Sequence, residues 1–274
     1  MSKRSKFVLV AILSGVLLWL TELASIDYRL GLVLAVCGAV YALVVWVLFD
    51  DLKGIEWLTL MILPVTYTFG SGLFASFLPA AVPSMFGRTF SLETSMFLSS
   101  LLRGVYYILY MIGMYGILLV ENIFSVASIR TIQLFRAARS ANFVFTLITL
   151  LFFFTIFLSL KLPFFVVMIV SFVISCTLAY VNYWSVDLKN PDYKQISRFT
   201  LATAWLTALI AGALCFWPIK PFIGGLLTTS GIYAMMGVLE QRLSNRIYLE
   251  GLMEYLISFV IIFLVAFFTT SWTG

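Results

Sequence analysis

Residues 142–186 read NFVFTLITLLFFFTIFLSLKLPFFVVMIVSFVISCTLAYVNYWSV. The stretch holds two apolar runs, 142–160 and 163–186, joined only through Lys161-Leu162-Pro163. A membrane-crossing helix needs about 20 mainly apolar residues. Hydrocarbon offers no partner to backbone N–H and C=O groups, so a helix or a closed barrel is the only way across. Each run meets the helical length, and so short a connection sends the second helix straight back. The segment reads as a transmembrane hairpin.

Working outward, the same pattern recurs before it at 7–23, 30–49, 57–82 and 96–120, and after it at 200–217, 222–239 and 252–272. The run 57–82 is long and interrupted by Pro64, Gly70, Gly72 and Pro79. The runs 200–217 and 222–239 are joined by Pro218-Ile219-Lys220-Pro221, a second tight hairpin. The expected fold is an all-α polytopic transmembrane helical bundle of about nine spans, a single transmembrane domain over 1–274. Composition agrees: 62% of the residues are hydrophobic and 11% charged, where soluble domains are nearer half and a quarter. Lys3, Arg4 and Lys6 ahead of Phe7–Leu20 imitate a secretory signal. The exit Leu20-Thr21-Glu22-Leu23-Ala24 is a poor cleavage site, so the run reads as an uncleaved first span.

Lysine and arginine give the direction. Nine spans with the N-terminus inside and the C-terminus outside place twelve of the seventeen basic residues in the cytoplasm. Arg29, Arg88, Lys161 and Lys220 fall outside, one per loop, and Arg103 falls within a span. The net charge of +5 is accounted for by topology, and nucleic acid is not an expected partner.

The longest hydrophilic stretch, about 121–140, is ENIFSVASIRTIQLFRAARS. On a helical wheel Val126, Ala137, Ile123, Leu134, Phe124 and Phe135 share one arc, opposite Ser128, Arg139, Ser125, Arg136 and Gln133. That pattern suits a cytoplasmic amphipathic helix lying in the membrane interface. Arg130 breaks it by projecting on the apolar side. Either it snorkels to anionic headgroups, or it makes an interface or ion pair with an acid from another loop, with Asp50, Asp51, Glu56, Glu240 and Glu250 as candidates. Within this stretch, Asn122-Ile123-Phe124, Ile129-Arg130-Thr131-Ile132-Gln133-Leu134 and Arg136-Ala137-Ala138, followed by an aromatic-rich hairpin, resemble a bacterial integral-membrane family of no assigned function over roughly 121–190. That resemblance implies no activity and no site residues.

The candidates for function are polar groups inside apolar runs. Pro64, Thr66, Thr68, Gly70, Ser71 and Gly72 either free backbone groups in mid-membrane, as the broken helices of transporters do, or only kink the span and let helices pack closely. Arg103 lies either inside the hydrocarbon, free to pair with Glu22 or Glu93, or at the headgroup level if its span begins near Leu101. Thr228-Thr229-Ser230-Gly231 is a hydroxyl cluster that either lines a cavity or bonds its own helix. A carrier would bring Thr66, Thr68, Gly70, Ser71, Gly72, Arg103 and Thr229 to one polar cavity. Small residues at spacing four, Gly31/Ala35/Ala39, Ser171/Ser175/Ala179 and Ala204/Ala208/Gly212, read as packing stripes.

Enzymatic chemistry has little to work with. There is no histidine, no phosphate-binding glycine loop, no zinc-protease or nucleophile-elbow motif, and Cys37, Cys176 and Cys215 have no metal spacing. No cofactor is expected. Among acids only Glu254, just inside the last span, suggests an intramembrane carboxylate. The expectation is a multi-pass protein of a bacterial-type cytoplasmic membrane that works as a small-solute or lipid-related carrier, its substrate unidentified. The alternative is a structural or assembly subunit with a membrane-protein partner or a second copy of itself. An enzyme acting on a lipid-linked substrate comes third.

Overall fold

The structure, a computed structural model, describes residues 2–24, 26–49, 56–82, 84–85, 88–89, 91–127, 133–188, 191–244 and 248–270. Among them are nine helices long and apolar enough to span a membrane. In chain order these are α1 Lys3–Leu20, α2 Ile26–Leu48, α3 Glu56–Phe74, α4 Leu92–Ala127, α5 Phe135–Ser159, α6 Phe164–Trp184, α7 Tyr193–Leu214, α8 Pro221–Leu243 and α9 Leu249–Thr269. A two-rung ladder pairing Ser84 with Thr89 and Met85 with Arg88 interrupts the α3–α4 connection. The protein is an all-helical, multi-pass membrane protein.

The α5–α6 hairpin turns as its sequence requires. Leu160 closes α5, Lys161 takes a left-handed conformation with φ 48°, and Pro163 stands at the N-cap of α6. One left-handed residue past a helix end reverses the chain and satisfies its last carbonyls. Pro221 similarly begins α8, where its missing N–H costs nothing.

At the centre α5 packs on α3, α4, α6 and α8. The α1–α2 hairpin flanks α3 and α4, the α6–α7 pair lies on the other side, and α9 rests on α8. The closest neighbours are α6 and α7, and the small-residue stripes explain why: Ser171, Ser175 and Ala179 on α6 and Ala204, Ala208 and Gly212 on α7 are all buried. The third stripe behaves differently. Gly31 and Ala35 face outward, and nothing lies within 4 Å of where a Gly31 Cβ would stand.

Three expectations change. First, α3 runs unbroken through Pro64, Gly70 and ends at Phe74, followed by a 3-10 turn Ala75–Phe77. Hydroxyls service its backbone. Thr66 donates to the Ile62 carbonyl at 2.7 Å, Thr68 to Pro64 at 2.8 Å, and Tyr106 of α4 to Ser71 at 2.7 Å. Pro64 takes the Leu60 carbonyl out of the i→i−4 ladder, and α3 carries that loss without opening. Second, α4 does not stop at residue 120. It continues for 36 residues, about 54 Å at 1.5 Å per residue, well beyond the hydrocarbon thickness. Third, the stretch 121–140 is not one surface helix. Residues 121–127 are the last turns of α4 and 135–140 the first of α5. Phe124 is buried and meets Phe135 edge-on at 5.9 Å, while Leu134 is exposed. The apolar arc of the wheel is real, but its two halves face each other across a helix–helix contact. Arg130 lies outside the described residues.

Candidate functional site

Two buried or half-buried charges, Arg103 and Glu121, lie on α4. Near its first third, Arg103 Nη1 lies 3.4 Å from Glu22 Oε2, and Nη2 donates to the Leu78 carbonyl at 3.4 Å. Arg29 reaches the other Glu22 oxygen at 3.5 Å. Glu22 follows α1 and Arg29 opens α2, so Arg103 sits level with the α1–α2 turn, at one end of the bundle. The first eleven residues of α4 run on beyond it. This joins the two accounts of Arg103: it is near an end and it is paired, with Glu22 and not with Glu93. Glu22 is nearly buried while Arg103 keeps 30% of its side chain exposed. Removing Arg103 leaves that carboxylate with one guanidinium in place of two. Arg103→Gln is expected to cost about 1–2 kcal/mol, less than a fully buried pair because solvent screens it. The same change in a Glu22→Gln background is expected to cost less than half as much. Thermal melts of the single and double variants in detergent measure the coupling; additive losses would mean the pair contributes nothing.

One turn further, α4 meets α3 in an aromatic seam. Tyr67 and Tyr110 stack with centroids 5.3 Å apart, Tyr110 and Thr68 share a hydrogen bond of 2.9 Å, and Phe74 packs on Phe152 at 4.8 Å. Gly70 faces the Phe153 ring, and Gly72 faces Val33 and Leu18. The seam is apolar in section and closely filled. Thr229 is elsewhere: α8 packs on α5, α6, α7 and α9. Its hydroxyl donates to the Gly225 carbonyl at 2.8 Å, as Thr228 does to Gly224 and Ser230 to Leu227. Thr68, Ser71, Gly70 and Gly72 are thus brought to one region, Arg103 stands a turn or two away from it, and Thr229 is on another face of the bundle. The seven residues expected to line one polar cavity do not converge on one.

The group that sequence reading missed is Glu121. The first charge after an apolar run marks the end of a span by sequence, but α4 continues past Glu121 to Ala127 and buries it. It is fully buried, its neighbours along the helix Ile117, Leu118, Phe124 and Ser125 are buried too, and neither carboxyl oxygen has a hydrogen-bond partner. The neighbouring helices bury more unmet polar atoms. Glu121 lies six residues before the end of α4 and Asn142 seven after the start of α5. The Asn142 amide donates to Asn182 Oδ1 at 3.4 Å, across α5 and α6. Asn142 Oδ1, Asn182 Nδ2, Asn122 Oδ1 and Thr200 Oγ1 are buried without partners. Buried polar atoms are nearly always satisfied, so these atoms are free to bond water or a polar guest. The only sequence signal for Glu121 was that the wheel of 121–140 places Ile123 and Phe124 on an arc continuous with α4.

At the same end of the bundle Arg139 of α5 pairs with Glu240 of α8. Glu240 is a candidate partner for Arg130, but the guanidinium that meets it is that of Arg139, nine residues on in sequence. Cys37 offers its thiol to the Val65 carbonyl at 3.8 Å, and all three cysteines are free. Among the described residues no group of three acidic, histidine or cysteine side chains is placed to hold a metal ion. No family model, no curated protein and no solved structure matches this chain.

Proposed function

We propose that the chain is a cation-coupled carrier of a small polar solute in a bacterial-type cytoplasmic membrane, with Glu121 as the group that takes the coupling proton or cation. One observation carries this reading: a carboxyl group wholly buried in a spanning helix, unable to snorkel, with both oxygens unpartnered. Ionisable groups in such places are costly, and function is the usual reason for keeping them. The unmet amides of Asn142 and Asn182 supply hydrogen bonds for a polar cargo, and the filled aromatic seam between Glu121 and Arg103 is the closed gate of such a path. The test is uptake by reconstituted vesicles. Labelled amino acids, sugars, carboxylates and nucleosides are offered under an inward proton or sodium gradient. Accumulation of one class that collapses with the gradient supports the reading, and no gradient-driven uptake of any class counts against it.

An assembly subunit is the second reading, and α9 favours it. Only 6% of that helix is buried, and Leu256, Ile257, Val260, Ile261, Leu264 and Phe268 point outward. Native mass spectrometry of the purified protein separates the two, since this reading requires a co-purifying partner or a second copy.

The charge distribution further places the start of α1 in the cytoplasm and Gly274 outside. A reporter active only in the cytoplasm, fused after Gly274, is expected to be silent. Strong activity there would reverse the orientation.

A further inference from the structure

Between the beginning of α5 and the α8–α9 hairpin lies a cavity of about 380 Å³, open on one side and lined by aromatic and polar groups. Its walls are rings. Tyr233 and Tyr255 stand almost perpendicular, 77° apart with centroids at 5.0 Å, and Phe143 approaches Tyr233 at 5.8 Å. Two glycines make this possible. The Tyr255 ring occupies the place where a Cβ on Gly237 would stand, and the Gln241 amide does the same at Gly251. The carboxylate of Glu240 lines the cavity, and Glu254, exposed and next to Tyr255 on α9, stands beside it without lining it. Arg139, paired with Glu240, is the one described cation in contact with these acids. Among the described residues, the cavity thus sets one carboxylate on its wall and a second beside it against two tyrosine rings.

That combination recognises organic cations. The faces of aromatic rings attract a positive charge through their quadrupole, and they do so best where a carboxylate supplies the balance. An anion would meet two carboxylates, and a neutral apolar guest would strand Glu240, Gln241 and Ser244. We propose that this cavity binds an organic ammonium group, either the headgroup amine of an aminophospholipid or a free small amine. The site is remote from Glu121 in its chemistry and stands whether or not the chain is a carrier. Its place at the α5-start end, beside a lightly covered α9, lets a lipid headgroup enter from the membrane side.

The experiment has two arms. In the first, protein is reconstituted with equal phosphatidylethanolamine and phosphatidylglycerol, and retained lipid is counted by native mass spectrometry. In the second, ethanolamine and tetramethylammonium are titrated in detergent and thermal shifts are read. Preferential retention of phosphatidylethanolamine by at least fivefold marks the lipid headgroup as the source, and a saturable shift with the free amines alone marks a free amine. Tyr255→Phe is expected to keep either signal, because the ring face remains. Tyr255→Leu and Glu254→Gln are each expected to reduce it at least fivefold. Glu254 is exposed, so its variant folds, and the outcome does not depend on Tyr255→Leu surviving. Equal retention of both lipids with no shift from either amine overturns the proposal, as does full binding by Glu254→Gln and Tyr255→Leu.

Discussion

Gly225→Val is expected to destabilise the bundle by about 3 kcal/mol or more, the upper end of overpacking costs. A Cβ built on Gly225 stands 2.9 Å from the backbone nitrogen of Thr155 and 3.1 Å from its Cα. Carbon atoms in good contact are about 3.5–4.0 Å apart. The obstacle is the main chain of α5, which cannot rotate away as a side chain does. The two helices would have to separate along their crossing, loosening α5 from the centre it shares with α3, α4 and α6. Gly→Ala at the same position is expected to cost about half as much. An internal control distinguishes packing from helix propensity. Gly31 has open space around it, so Gly31→Ala is expected to be neutral or to stabilise by up to about 1 kcal/mol. Melting temperatures in detergent, or unfolding titrations in mixed micelles, read both. Equal effects at the two glycines would mean that the α5–α8 approach is looser than 2.9 Å implies.

Gly225 also shows what the sequence withheld. The count of spans followed from apolar run length, and the two hairpins from their three- and four-residue connections. Both are local properties, set by residues a few positions apart. Which helix lies against which is not local. The run Thr228-Thr229-Ser230-Gly231 was legible as either cavity lining or self-satisfied helix. The choice fell to self-bonding once α8 was seen against α5. The stripes Ser171/Ser175/Ala179 and Ala204/Ala208/Gly212 were legible as packing faces and are buried on α6 and α7, which pack together, whereas Gly31/Ala35/Ala39 has the same spacing and faces largely outward. Spacing declares that close approach is possible without naming a partner. Whether the third span was broken or only kinked and closely packed stayed open for a related reason. Pro64 and the glycines permit either, and the contacts that hold α3 as one helix include Tyr106, 35 residues on from Ser71 in sequence. Span ends were the weakest inference, because a charge was taken as an exit. For Glu254 the acid was noticed by its position in an apolar run. For Glu121 the run had already been closed one residue earlier.

Replacing Glu121 by glutamine is expected to reduce gradient-driven accumulation at least tenfold while the protein stays folded. Glutamine keeps the shape of glutamate and one carbonyl oxygen, so the packing of Ile117, Leu118 and Phe124 around it need not change. What it removes is the ability to take up and release a charge. Inside the bundle that ability is expensive: an isolated charge in a low-dielectric site costs several kcal/mol. The carboxyl must therefore be neutralised by a proton or joined by a cation whenever the bundle is closed as it is here. A carrier uses that requirement for coupling, because the closed form is accessible only with the charge compensated. The variant is permanently compensated. It should still exchange labelled solute for unlabelled solute across the membrane, and lose only the accumulation that the ion gradient drives. Stability points the same way. Glu121→Gln is expected to melt at or above the wild-type temperature, because no charge has to be excluded from the core. A carboxyl that merely filled space would give a different pattern, with Glu121→Gln and Glu121→Leu both leaving accumulation intact. Loss of exchange together with accumulation would instead assign Glu121 to cargo binding, and the coupling role would have to be abandoned.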